Sequence, residues 1–117
     1  MESYMNRISN TGIVPVVKIL EKEDAYPLAK ALLNGGIDVI EVTYRSEHAT
    51  SAIQTISEQL PDMLVGAGTV LSVEQAKEAV EAGAKFIITP GFNTKVVQWC
   101  LDHDVEVYPG VSTASEV

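Results

Sequence analysis

Residues 35–69 read GGIDVIEVTYRSEHATSAIQTISEQLPDMLVGAGT, which holds one complete strand–helix–strand unit. Gly35-Gly36 stops whatever helix precedes it. Ile37 to Thr43 is then a β-branched, apolar run that predicts a strand. From Glu47 to Leu60 the apolar positions Ala52, Ile53, Ile56 and Leu60 recur at helical spacing, and Pro61 ends the helix. Met63 to Thr69 is a second strand.

The same unit repeats on both sides. Upstream, Ile13 to Val17 reads as a strand and Asp24 to Asn34 as a helix, with Leu28, Ala29, Leu32 and Leu33 facing inward. Pro27 is tolerable there because it falls in the first turn. Downstream, Ser72 caps a helix, with Gln75 at capping-box spacing, Val73, Ala76 and Val80 inward, and Gly83 as its stop. Phe86 to Thr89 is a fourth strand. Thr94 to Asp102 is a helix with Val97, Cys100 and Leu101 apolar, and Val105 to Tyr108 is a fifth strand. Ser112 to Glu116 reads as the start of one more helix.

The strands recur every 20 to 27 residues or so, about the length of one βα unit with short loops. Strict alternation calls for a parallel sheet with helices packed on it. Periodicity leaves two architectures open. One is a five-stranded flavodoxin-like sandwich. The other is the first five units of a (β/α)8 TIM barrel, which takes roughly 200 residues or more in full. Either way, residues 1–117 are expected to form a single domain, with no linker or low-complexity tract.

Composition narrows the function classes. Apolar residues make up 46% of the chain and charged residues 21%, as in an ordinary globular domain. The net charge of −8 and the scattered lysines and arginines argue against nucleic-acid binding. A local cation can still recruit an anionic small molecule. No apolar run reaches the length of a membrane span, and Met1 to Thr11 is polar, so a cytoplasmic location is expected. Cys100 is the single cysteine, and no zinc-ligand spacing is present.

In both architectures ligands gather at the carboxyl ends of the strands. Glu41 interrupts an apolar strand there, where a carboxylate is costly unless paired or solvated. Thr43 shares its side of the pleat, and Arg45 continues that parity if the strand extends so far. A carboxylate beside a guanidinium suits proton transfer next to a bound anion. The competing reading is a structural ion pair at the rim. Gly66-x-Gly68-Thr69 lets a ligand approach the backbone and adds a hydroxyl. Taken singly, Pro90-Gly91 and Pro109-Gly110 are ordinary turns. Tyr44 is a further candidate for a pocket wall. Cys100 reads as core, and His48 and His103 as solvated.

Taken in order, these strand ends carry a resemblance. Val14-Pro15-Val16, Glu41 to Ser46, Val65 to Val70, Thr89-Pro90-Gly91 and Pro109 to Thr113 together resemble the class I aldolases that cleave 2-keto-3-deoxy-6-phosphogluconate or 4-hydroxy-2-oxoglutarate. The resemblance implies the TIM barrel. It implies a lysine on strand six that forms a Schiff base with the substrate ketone, so that neither metal nor organic cofactor is required. It makes Glu41 the proton shuttle, places Arg45 and Thr69 on the substrate carboxylate, and makes Thr43, Gly68, Pro90, Gly91, Pro109 and Gly110 the pocket wall. It further implies a keto-acid substrate and a homo-oligomer, usually a trimer.

Strand six and the phosphate-holding loops would lie past Val117. None of Lys18, Lys22, Lys30, Lys77, Lys85 and Lys95 matches the Schiff-base position, and only Lys18 could face a pocket. The 117 residues alone are therefore expected to be inactive. The alternatives are another phosphate-binding barrel, such as a thiamine-phosphate synthase relative, and a non-catalytic half-barrel binding module.

Overall fold

The computed structural model describes Tyr4, Arg7, Ile8, Asn10, residues 14–91 and residues 93–110. Among the described residues there are five strands: β1 (Val16–Val17), β2 (Val39–Thr43), β3 (Leu64–Gly68), β4 (Phe86–Pro90) and β5 (Glu106–Gly110). Four helices connect them: α1 (Ala25–Asn34), entered through a 3-10 turn at Lys22–Asp24, then α2 (Ala49–Gln59), α3 (Val73–Ala82) and α4 (Thr94–Asp102). Ile13 and the helix expected from Ser112 lie outside the described residues.

All strands are parallel, and their order in the sheet is the order in the chain. That order decides between the two architectures. A flavodoxin-like sheet runs 2-1-3-4-5 with helices on both faces. Here each helix packs against the next, α1 on α2, α2 on α3 and α3 on α4, so all four lie on one side. A sequential parallel sheet with its connecting helices all on the outer side is the wall of a TIM barrel.

The pleat divides the strands accordingly. Ile40, Val42, Val65, Ala67 and Ile87 face outward into the main core with Ala29, Ile53, Ile56, Ala76, Ala79, Val96 and Cys100 from the helices. Val39, Leu64 and Phe86 face inward and form a second cluster with Tyr4, Ile8, Val14, Ile88 and Tyr108.

This second cluster corrects the reading of the N-terminus as merely polar. Arg7, Ile8 and Asn10 are helical, and Tyr4 and Ile8 cover the inward apolar residues. Arg7 donates to the Asp62 carbonyl at 2.6 Å and pairs with Asp38 at 3.4 Å. Asp38 and Asp62 stand just ahead of β2 and β3, so Arg7 is tied to the amino ends of these strands. The Tyr4 amide adds a bond to the Glu106 carboxylate at the start of β5, at 2.7 Å.

Other differences from the sequence reading are small. β1 is short because Pro15 has no amide to give, although its carbonyl accepts from Glu41 N at 3.0 Å. On α1 the buried residues are Ala25 and Ala29, with Leu28 exposed. On α4 they are Val96 and Cys100, and Leu101 points away from the sheet. Small side chains on the inner stripe let the helices sit close to the strands. Burial pushes the Cys100 thiol up to about 11, as suits a core cysteine. The α3 cap forms as expected, with Gln75 N donating to Ser72 Oγ at 3.2 Å. The Gln75 side chain closes on Leu71 N at 2.8 Å rather than on Ser72.

Candidate active site at the strand ends

The floor of the barrel is apolar, and the first polar layer above it begins with Glu41. In β2, Val39, Glu41 and Thr43 alternate inward, and each faces its partner in β3: Leu64, Gly66 and Gly68. Two glycines in succession leave space on the inner face, and two neighbours take it. A Cβ at residue 66 would lie 2.2 Å from the Phe86 ring. A Cβ at residue 68 would lie 1.7 Å from Glu41 Oε2. Phe86 therefore fills the lower gap, and the Glu41 carboxylate leans over Gly68 toward the strand ends.

Glu41 is 9% exposed. Burial raises its pKa above the ordinary value of 4.5, and the positive charge of Arg45 pulls the other way with the smaller effect. Arg45 itself stands exposed in the turn after β2. Among the described residues the two form no direct ion pair, which disfavours the structural-pair reading of this strand end.

Thr43 and Thr69 meet above the carboxylate. Thr43 is 1% exposed, and its Oγ1 donates to Thr69 Oγ1 at 2.8 Å. Thr69 has φ 54°, in the left-handed region that β-branched residues rarely occupy. The backbone on either side pins it: Tyr44 N donates to the Gly68 carbonyl at 2.8 Å, and Val70 N to the Ile88 carbonyl at 3.3 Å.

The remaining strand ends complete the rim. Thr89 is buried on the outer side and donates from Oγ1 to the Gly91 carbonyl at 2.8 Å, which shapes the Pro90–Gly91 turn. Pro90 and Gly91 are exposed there. Pro109 and Gly110 end β5 in register with Thr89 and Pro90. Tyr44 is no pocket wall, because it packs into the outer core and its hydroxyl pairs with Thr50 Oγ1 at 2.7 Å. Lys18 is exposed, as are the other five lysines.

Two contributors escaped the sequence reading. Phe86 shapes the site from below, and its inward phase followed from its alternation with Ile87. Ser46 ties the turn after β2 to the end of β1 by donating to the Ile19 carbonyl, and it accepts from His48 N at 3.0 Å. Nothing in the sequence marks that contact. Among the described residues no three His, Cys, Asp or Glu side chains gather as a metal site, and no helix is long and apolar enough to cross a membrane.

Known proteins resemble this chain in sequence and in fold. The profile of the KDPG and KHG aldolase family matches residues 4–117. A 2-dehydro-3-deoxy-phosphogluconate aldolase of Treponema pallidum is 46% identical over 117 residues, all of this chain and 56% of that protein. A KHG/KDPG aldolase of Escherichia coli K12 is 44% identical over 111 residues, 94% of this chain and 52% of that one. The crystal structure of a KDPG aldolase from Legionella pneumophila, with pyruvate captured as a covalent carbinolamine, superposes with a TM-score of 0.80 at 43% identity. It covers 88% of this chain and 50% of that one. The chain thus spans about half the length of the curated relatives it matches. A match running through every described strand, on a sheet of barrel order, makes this chain a member of the KDPG/KHG aldolase family.

Proposed function

We propose that this chain supplies the proton-transfer and carboxylate-binding part of a class I aldolase site. The reaction is cleavage of 2-keto-3-deoxy-6-phosphogluconate to pyruvate and glyceraldehyde 3-phosphate, of 4-hydroxy-2-oxoglutarate to pyruvate and glyoxylate, or of both. The observation that carries the reading is the buried Glu41 carboxylate over Gly68, with the Thr43–Thr69 pair beside it.

The chemistry assigns each group a task. A lysine amine adds to the C2 ketone, and the carbinolamine loses water with a proton from Glu41, giving an iminium. The Glu41 carboxylate then takes the C4-hydroxyl proton. The C3–C4 bond breaks, its electrons pass into the iminium, and the aldehyde leaves from an enamine. Protonation of C3 by the Glu41 carboxylic acid, followed by hydrolysis, releases pyruvate. Burial of Glu41 favours this cycle, because a carboxyl with a raised pKa holds and releases a proton closer to neutral pH. Arg45 and the Thr69 hydroxyl hold the pyruvate carboxylate, while Gly68, Pro90, Gly91, Pro109 and Gly110 shape the pocket around it.

All six lysines here are exposed. On this reading the iminium lysine and the substrate-phosphate site belong to other strands of the complete barrel, and residues 1–117 are inactive by themselves. The complete barrel works as a cytoplasmic homo-oligomer, a trimer by family resemblance. The test is borohydride trapping with pyruvate in a complete barrel carrying this segment, followed by retro-aldol assays on both substrates. A covalent pyruvate adduct and pyruvate release are expected. Absence of both would overturn the reading.

A further inference from the structure

We propose that Thr43 is a positioning residue, which fixes the Thr69 hydroxyl as a hydrogen-bond donor to the substrate carboxylate. The inference rests on the aldolase reading above.

A hydroxyl has one proton to give. Thr43 Oγ1 spends its proton on Thr69 Oγ1, at 2.8 Å. Thr69 Oγ1 is thereby an acceptor from below, so its own proton has to point elsewhere. Thr69 is only half-buried, whereas Thr43 is 1% exposed. The open direction for the Thr69 proton is therefore toward the strand ends, where an anion would bind. A carboxylate only accepts, so a threonine that touches it has to donate. Donation by Thr43 also polarises the Thr69 O–H, which strengthens its bond to an anion.

The backbone supports the same assignment. Thr69 occupies a left-handed conformation, φ 54°, that its β-branched side chain disfavours. Strain of this kind persists where the surroundings over-determine it. Bonds to β2 and β4 on either side do so here, and the Thr43 hydroxyl adds a third constraint on the side chain itself. Thr43 lies directly across from Gly68 and two residues after Glu41 on the same face. One strand thus sets both the proton-transfer group and the orientation of the carboxylate donor.

The test uses Thr43→Val, Thr43→Ser, Thr69→Val and the Thr43→Val/Thr69→Val double variant in a complete barrel carrying this segment. The readouts are the pyruvate concentration giving half-maximal borohydride trapping, KM and kcat for cleavage, and Tm. Thr43→Val is expected to raise half-saturation and KM about 3- to 10-fold, the range of one uncharged hydrogen bond, with a smaller effect on kcat. Thr43→Ser should restore affinity. The double variant should bind no more weakly than Thr69→Val. Unchanged half-saturation in Thr43→Val, failure of Thr43→Ser to restore it, or additive losses in the double variant would each overturn the proposal while leaving the aldolase reading intact. If the unmutated barrel traps no pyruvate, both fall together.

Discussion

The Glu41 carboxylate occupies the volume that a side chain at Gly68 would need, with Oε2 only 1.7 Å from where a Cβ would stand. An acid on β2 and a missing side chain on β3 therefore form one unit. Gly68→Ala is a direct probe of it. The added methyl has to displace the carboxylate, since the neighbouring strand backbone is fixed in register. A misplacement of about 1 Å can cost about 10²-fold in rate. We expect a loss of that order in turnover by the complete barrel, with Tm nearly unchanged. Turnover within about threefold of the parent would show that the contact does not set the position of Glu41.

Removing the charge while keeping the shape asks a different question. Glu41→Gln should lose about 10²–10⁴-fold in turnover, the usual contribution of a general acid–base group. The pyruvate imine should still form, slowly, because the lysine nucleophile is untouched. Arg45→Ala should act on binding instead, raising the pyruvate half-saturation by about tenfold or more, as expected for a lost charged hydrogen bond. Single-turnover trapping beside steady-state cleavage separates the two. Near-normal rates in Glu41→Gln would remove the role assigned to that residue.

The same substitution has a stability signature with a definite sign. The folded pKa of Glu41 lies above its ordinary 4.5, so between those two values the native state holds more protons than the unfolded chain. Stability contributed by this group then falls as pH rises through that window. Glu41→Gln carries no such term. The variant should equal or exceed the parent in Tm at pH 7, and the difference should shrink toward pH 4. Thermal melts across this range decide it, and a Tm advantage that grows toward acid would contradict the raised pKa.

The sheet was largely legible because apolar periodicity and glycine or proline stops are local signals. Ile40 and Val42 alternate with Glu41, and Ser72 and Gly83 bracket a helix, whatever lies beyond them. Strand order was not legible, since it depends on contacts between units that a single unit does not encode. The site residues could be named from the strand ends, but not their mutual geometry. The lean of Glu41 over Gly68 and the bond from Thr43 to Thr69 exist only once β2 and β3 are in register. The floor was missed for a related reason. Tyr4 and Ile8 have helical i, i+4 spacing, but their partners Val39, Leu64 and Phe86 are distant in the chain.

The open edges of this sheet carry the last prediction. Among the described residues β1 pairs only with β2, and β5 only with β4, so each presents one unpaired side. Unpaired strand edges are templates for association. Parallel sheets are normally covered on both faces. Here Tyr4 and Ile8 pack on the inner face at Val39, Leu64 and Phe86, while Val16, in register with Glu41, is 59% exposed. Leu20 and Leu71, in the loops following β1 and β3, are 65% and 58% exposed. Covering roughly 300 Å² of apolar surface contributes about 7 kcal/mol, as much as the whole stability of many domains. A polypeptide of residues 1–117 expressed alone should therefore self-associate or unfold without cooperativity. A complete barrel, which has no edges, should unfold cooperatively as a defined oligomer. Sedimentation velocity with intact mass, alongside thermal melts, distinguishes these outcomes. A monodisperse, cooperatively unfolding monomer of residues 1–117 would show that the open edges carry no such cost.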